Sequence, residues 1–243
     1  MKALRKLPLF LSFFLLFSCD YFQNLSDEEI AAGLKSALEV GSKYALNTLG
    51  KEDGFFLDKA VKIGLPQDVA TIVKQIAPLP IVGNLIKGIE DELVLAINRA
   101  AEVAIDGVIP VVVNAITDMT IIDAKNILFS DNQIAATDYL RGKTYNPLCD
   151  VCGSVIEGAL NKKIVLNASA QDVWGKFTNI YNQASAIPFV NLDPIETDLT
   201  LYTTQKALNG VFTKVGDEEV KIRTDASARV NDLLKRVFGQ LDK

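Results

Sequence analysis

Apolar residues recur every three or four positions along most of the chain after residue 25, and this spacing predicts amphipathic α-helices. The first series begins directly behind Ser26-Asp27-Glu28-Glu29, a capping box in which Ser26 and Glu29 cap the helix start reciprocally. The apolar positions of this helix are Ile30, Leu34, Ala37, Leu38, Gly41, Ala45 and Leu49. A helix with one apolar stripe must bury that stripe against another element. The sequence therefore predicts an all-α fold.

Start and stop signals divide the rest of the chain into further helices. The predicted segments are residues 66–78, 83–120, 121–129, 132–141, 147–161, a helix starting at 169, 198–223 and 226–238. Residues 187–198 contain two prolines and are predicted to be a linker. We expect a single multi-helix, bundle-like domain of about eight helices over residues 26–243, without a substantial sheet.

Residues 108–113 are the most ambiguous part of this assignment. Their β-branched composition would also suit a strand, but Pro110 is unfavourable in a central strand and instead kinks a helix. We therefore predict either two helices or one bent helix that meet near Pro110.

The beginning of the chain resembles a bacterial lipoprotein signal. A basic start is followed by a mostly apolar run over residues 7–17, which is too short to span a bilayer. Residues 16–19, Leu-Phe-Ser-Cys, resemble a lipobox. The resemblance implies that residues 1–18 are a cleaved signal peptide and that Cys19 carries diacylglycerol, with a further acyl chain such as palmitate on the new amino terminus.

The lipid on Cys19 would anchor the protein, because two or three acyl chains hold a membrane firmly whereas one chain binds only marginally. Residues 19–25 are then a lipidated tether, and the domain from residue 26 onward faces the periplasm or the exterior of the bacterial cell envelope. The alternative is an uncleaved anchor beside a coincidental cysteine. The order of basic, apolar and small residues favours the lipoprotein.

The charge of the mature chain argues against a nucleic-acid partner. Without Lys2, Arg5 and Lys6 of the leader, the 25 Lys and Arg residues fall to 22 against 30 Asp and Glu, a net charge of −8. Nucleic-acid binding requires clustered Lys and Arg instead.

Histidine is absent from the sequence. This excludes histidine-dependent triads, zincin motifs and haem with a histidine ligand, and it argues against an enzyme because histidine is the commonest general acid–base near neutral pH. Carboxylate-only calcium or magnesium sites stay open. We assign no cofactor, no metal site and no catalytic residue.

Cys149 and Cys152 are the two cysteines left after lipidation of Cys19. In an exported protein such a pair can form a disulfide. A redox-active CxxC motif needs a thioredoxin-like βαβ context, whereas the surrounding sequence is predicted to be helical. We therefore favour a structural role, either as a disulfide or as paired thiols in the core.

A candidate polar cluster lies on two of the apolar helices. Its members are Asn98, Arg99, Glu102, Gln205, Lys206, Glu218 and Glu219. If the two helices converge, these side chains would bind a small polar ligand or a divalent cation. The alternative, which we favour, is that they form interhelical ion pairs and hydrogen bonds, because buried charges need partners. The apolar segment 55–57 has two similar interpretations: a contact surface, or a lid that folds back on the core.

Several strings of the sequence together resemble the domain of unknown function family 4197, a family of helical bacterial envelope proteins. Among them are Gly33-Leu34-Lys35, Ile97-Asn98-Arg99-Ala100-Ala101-Glu102, Thr204-Gln205-Lys206-Ala207-Leu208 and Asp232-Leu233-Leu234-Lys235-Arg236-Val237-Phe238-Gly239. The resemblance covers residues 25–239 and implies an all-α single domain, but no catalytic residues. The sequence departs from the family pattern at 147–153, which favours a local structural role for the cysteine pair.

Three functions follow from these features. We expect a non-catalytic binding or scaffolding lipoprotein, whose partner is the membrane through its anchor and either an envelope protein or an apolar ligand. A carboxylate-based, metal-assisted enzyme would instead require Glu102 to meet Glu218 or Glu219 in an open cleft. A purely structural envelope component would have neither an apolar pocket nor an exposed patch.

Overall fold

The computed structural model describes residues 25–76, 82–165, 168–185, 194 and 198–242. Within these residues the chain forms eight α-helices and one short antiparallel pair of strands, and the predicted all-α fold is confirmed. The helices are α1 (Asp27–Leu49), α2 (Gln67–Ile76), α3 (Val82–Thr117), α4 (Ile121–Leu128), α5 (Ala135–Leu160), α6 (Ala170–Ser185), α7 (Leu199–Thr224) and α8 (Asp232–Phe238). The strands are β1 (Lys163–Val165) and β2 (Ala168–Ser169), with Lys163 opposite Ser169.

Some predicted features lie outside the described residues. These are the signal peptide 1–18, the anchor Cys19 with its tether up to residue 24, the helix-ending prolines Pro78 and Pro80, and most of the linker 187–198.

The α1 helix begins at the predicted capping box. The Glu29 N–H donates to Ser26 Oγ at 3.2 Å, and the Ser26 N–H donates to Glu29 Oε2 at 3.0 Å. The apolar stripe of α1 is buried, and Gly33 lies so close to α8 that a Cβ there would be 2.5 Å from Cγ2 of Val237. The absence of a side chain at Gly33 therefore sets how closely α1 and α8 approach.

The α3 helix lies at the centre of the fold and packs against α5, α1 and α7. It is a single helix that continues through Pro110, so of the two alternatives predicted at this residue the structure has one helix rather than two. Pro110 cannot donate to the carbonyl of Asp106, but both residues lie on the exposed side of α3, where water can take the place of the lost donor. The proline therefore interrupts one hydrogen bond without ending the helix.

The α5 helix also continues through a proline, and here the prediction of two helices is wrong. Residues 132–141 and 147–161 were expected to form separate helices, but one helix covers both and includes Pro147. Pro147 and Lys143, whose carbonyl loses its donor, are again exposed.

By length and composition alone, the described residues contain one helix that could span a membrane, Lys87–Thr117 within α3. Five of the described helices pack against α3, and it buries the polar side chains of Asn98 and Glu102. In its most apolar window, 44% of the helix is buried inside the protein.

The last two predicted helices differ in outcome. The helix predicted over 198–223 is confirmed as α7. The helix predicted over 226–238 is too long, because Ala226–Ala228 form a separate 3₁₀ turn and α8 starts at Asp232. The Leu234 N–H donates to Asn231 Oδ1 at 2.8 Å, and this side-chain cap sets the start of α8.

Candidate functional sites

Asn98 on α3 fastens the loop that connects α1 to α2. Its Oδ1 accepts the N–H of Ile63 at 2.9 Å, and its Nδ2 donates to the carbonyls of Ile63 and Val94, each at 2.7 Å. The side chain is fully buried. Asn98 therefore satisfies both backbone groups of Ile63 where water has no access.

Glu102, one turn further along α3, fastens the same loop at a second point. Its Oε1 accepts the N–H groups of Phe55 at 3.1 Å and Phe56 at 3.3 Å, and its Oε2 accepts from Nη1 of Arg99 at 2.6 Å. Nη2 of Arg99 reaches Asp53 Oδ1 at 2.7 Å. We call this set the loop clamp: Asn98, Arg99 and Glu102.

The loop tip turns back on the core beside this clamp. Asp53 has a φ of 66°, and a Cβ at Gly54 would lie 2.4 Å from the Thr48 carbonyl oxygen, so the turn requires a glycine there. Phe55 is fully buried, whereas Leu57 is 67% exposed. Of the two interpretations of segment 55–57, the lid applies to Phe55, whereas Leu57 is exposed.

Glu219 on α7 caps a different helix. Its Oε1 accepts the Ala136 N–H at 2.9 Å, and its Oε2 accepts the N–H and the hydroxyl of Thr137 at 2.7 and 2.8 Å. Ile134, at the N-cap position of α5, makes no side-chain capping bond. Glu219 therefore places a carboxylate at the positive end of α5 from a neighbouring helix.

Arg223, also on α7, binds the end of α4, the helix that precedes α5 in the chain. Its Nε donates to Glu219 Oε1 at 2.9 Å, and its Nη1 and Nη2 donate to the carbonyls of Leu128 and Ile127 at 3.1 and 2.9 Å. These carbonyls belong to the end of α4, where a cation is favourable. One buried ion pair thus closes both helix ends of the α4–α5 connection, and we call Glu219 and Arg223 the junction clamp.

Another buried charged side chain binds the C-terminal residues. Arg229 donates to the Ile222 carbonyl at 3.0 Å and the Arg223 carbonyl at 3.1 Å, and it pairs with both carboxylate oxygens of Asp242 at 2.6 Å. The hydrogen bond from Arg229 lowers the pKa of Asp242. The arrangement caps α7 and ties the end of the chain to it.

The structure does not bring the seven residues of the predicted polar cluster together. Gln205 and Lys206 are exposed on α7, and Glu218 pairs with Lys221 at 2.6 Å. Among the described residues, the loop clamp and the junction clamp share no hydrogen-bonding partner. Among the residues that the structure describes, no group of three Cys, Asp or Glu side chains could hold a metal ion.

Cys149 and Cys152 lie one turn apart on α5, and both are free thiols in the structure. Burial raises the pKa of the Cys152 thiol to about 11, and burial together with Asp150 raises the pKa of Cys149. Because the thiolate is the reactive form, raised pKa values make both thiols weak nucleophiles. Cys152 packs its sulfur 3.9 Å from the Ala104 carbonyl oxygen.

An apolar groove of about 260 Å³ lies between α1 and α3. Its walls are Leu46, Ile109, Val112, Val113 and Ile116, and its rim carries Glu39, Lys43 and Asn47. The Ser42 side chain also lines the groove, and its buried hydroxyl has no hydrogen-bonding partner within the described part of the chain. We call this feature the α1–α3 groove.

A second depression, of about 540 Å³, lies between α3 and the end of α5. Arg99 of the loop clamp borders it, together with Leu95, Val103, Ala159 and the oppositely charged Glu92 and Lys162. This depression is wider than the α1–α3 groove and more polar.

Sequence reasoning missed two of these features. The role of Arg229 could have been predicted from the sequence, because an arginine just beyond a helix end is well placed to donate to the last carbonyls of that helix. The α1–α3 groove could not have been predicted, because its lining residues lie far apart in sequence and show the same helical spacing as core residues.

The fold and these sites define a helical domain in which buried charged side chains fasten the connections between helices and an apolar groove stays open. The chain belongs to the family described as "Protein of unknown function (DUF4197)", whose model matches residues 24–239. No curated protein and no solved structure matches the chain.

Proposed function

We propose that this protein is a lipid-anchored, non-catalytic binding module of the bacterial envelope that shelters an aliphatic chain in the α1–α3 groove. The groove is the observation that carries the proposal: its walls are aliphatic, and Val113 keeps 48% of its surface exposed there. Ligand pockets usually measure about 300–1,000 Å³. At about 260 Å³, the groove suits one slender chain rather than a bulky ring system.

Two polar groups suggest the head of this ligand. The Ser42 hydroxyl lacks a partner, and Lys43 at the rim makes no ion pair among the described residues. Buried polar groups are nearly always hydrogen-bonded, so a ligand oxygen or a water molecule is expected beside Ser42. We therefore propose a single-chain amphiphile with a hydroxyl or carboxylate head.

The buried carboxylates support a binding role over an enzymatic one. Glu102 and Glu219 each accept two backbone N–H groups and pair with an arginine. A carboxylate engaged in this way satisfies buried backbone donors and so stabilises the structure. The proposal therefore uses neither residue as a catalyst.

The membrane anchor rests on the leader sequence. The basic start, the short apolar run and the lipobox-like residues before Cys19 together support acylation at this cysteine. Detergent-phase partitioning and lipid mass analysis of wild type and Cys19→Ala from a bacterial host test this part. Acyl chains on the wild type alone are expected, and an unacylated wild type would refute the anchor.

Titration of the purified full chain with unlabelled dodecanoate, followed by isothermal calorimetry, tests the groove. Val113→Phe fills the groove and is expected to weaken binding about tenfold, which corresponds to the loss of one or two buried methylenes. Val230→Phe is the matched control, because Val230 is 67% exposed and does not line the groove. Equal binding by both variants and wild type would contradict the proposal.

A further inference from the structure

The α4 helix has an exposed apolar face that the fold leaves uncovered. Ala124, Ile127 and Leu128 are buried against the core, whereas Ile122 is 72% exposed and Phe129, directly after the helix, is 56% exposed. The two lie seven positions apart, two helical turns, so they share one side of α4. Isolated exposed apolar residues are ordinary, but a pair aligned on one helix face suggests a contact surface.

This face lies at the end of the protein where the lipid anchor is attached. Lys125 lies between Ile122 and Phe129 on α4, and its Nζ is 2.7 Å from Oδ1 of Asp27, the first residue of α1. Asp27 follows Cys19 by eight positions, which limits the distance between them to roughly 28 Å. The opposite end of α1, at Leu49, is about 33 Å further along the helix axis.

We infer that α4 rests its outward face, with Ile122 and Phe129, on the surface of the bilayer that holds the Cys19 anchor. This inference rests on the lipid anchor of the proposed function. The anchor holds this end of the protein near the membrane, so even weak adsorption of the α4 face is favoured by its high effective concentration. The bilayer surface would cover two side chains that the protein leaves exposed.

The charges around α4 specify the kind of membrane surface. Lys125 is already paired with Asp27, and Asp118, Asp123 and Asp131 lie on or beside the same helix. Attraction to anionic lipid needs clustered unpaired Lys and Arg. Among the described residues, Lys125 and Lys143 near this face instead lie beside Asp27 and Asp123. The contact is therefore apolar and suits zwitterionic lipid.

Tryptophan quenching by lipid tests this orientation. The only native tryptophan, Trp174, is fully buried and gives a constant background. The acylated full chain carrying Phe129→Trp or Ile122→Trp is reconstituted into vesicles of phosphatidylcholine brominated near the head of its acyl chains. The emission of each added tryptophan is expected to be about twofold lower than in unbrominated vesicles, because an interfacial apolar face lies roughly 5–10 Å into the headgroup and acyl boundary.

Tyr44→Trp is the matched control. Tyr44 is 61% exposed and lies about 26 Å along α1 from Asp27, so its replacement should keep its full emission. Equal quenching at all three positions, or none at positions 122 and 129 of an acylated protein, would overturn the inference and leave the anchor intact. Mass analysis of the same samples that shows no acyl chain would overturn the anchor and the inference together.

Discussion

The loop clamp and the junction clamp use the same chemistry in different surroundings. In each, a buried glutamate accepts two backbone N–H groups and pairs with an arginine three or four positions away on its own helix. The arginines differ in exposure: the side chain of Arg99 is 33% exposed, and that of Arg223 is 3% exposed. Water can therefore replace some hydrogen bonds of Arg99 in the loop clamp, but not those of Arg223 in the junction clamp, because Arg223 is buried.

The largest expected effect follows from removing the buried cation. Arg223→Met leaves the Glu219 carboxylate without its ion-pair partner and frees the carbonyls of Ile127 and Leu128. Breaking a buried ion pair on one side costs about 3–5 kcal/mol. The free energy of unfolding, measured by urea denaturation, is expected to fall by that amount.

Arg236→Met is the control for this change. Arg236 pairs with Glu29 at 2.7 Å, but both side chains are well exposed. Such a surface pair contributes about 0–1 kcal/mol. If Arg223→Met destabilised the protein no more than Arg236→Met, the junction clamp would not be a structural element.

A smaller and more local effect is expected at the loop clamp. Glu102→Gln keeps an acceptor for the Phe55 and Phe56 N–H groups but loses the charge opposite Arg99, a change of about 1–3 kcal/mol. Local opening requires less free energy than global unfolding, so we expect amide hydrogen exchange to accelerate at Phe55 and Phe56 first. Uniform acceleration across α5 and α7 would show that the two clamps do not differ.

The smallest expected effect is on the pH dependence of folding stability. The hydrogen bond from Lys214 lowers the pKa of Asp58, which lies in the loop between α1 and α2. The hydrogen bond from Arg229 lowers the pKa of Asp242 near the C-terminus. A carboxylate whose pKa is lowered in the folded state stabilises the protein above its unfolded pKa of about 3.9, and this contribution is lost as pH falls through the folded value.

The double variant Asp58→Asn/Asp242→Asn should therefore lose less Tm than wild type between about pH 5 and pH 2. The difference is expected to be small, because both carboxylates are partly exposed and screened by solvent. An identical pH dependence for the two proteins would mean that these ion pairs do not contribute to stability.

Local signals in the sequence predicted most of the fold. The capping box at Ser26 and the apolar stripe of α7 were sufficient to place α1 and α7. Pro147 was wrongly predicted to begin a new helix, and Pro110 left one helix and two helices as alternatives. Whether a proline ends a helix depends on whether the freed carbonyl meets water, and exposure is a tertiary property.

The sites were less predictable. Asn98, Glu102 and Glu219 were recognised as polar residues within apolar helices, but their partners are backbone groups of distant segments that carry no side-chain signature. The sequence therefore indicated that these residues were unusual without indicating what they hold.

We propose that the charged residues of the two clamps stabilise the fold and that the ligand binds in the α1–α3 groove. Two-dimensional ¹H–¹⁵N NMR of residues 20–243, titrated with dodecanoate, tests this claim most directly. We predict shifts at the amides of Ser42, Leu46 and Val113, with those of Phe55 and Thr137 unchanged. Shifts concentrated at Phe55 and Thr137 instead would contradict the claim, because they would place the ligand at the buried carboxylates.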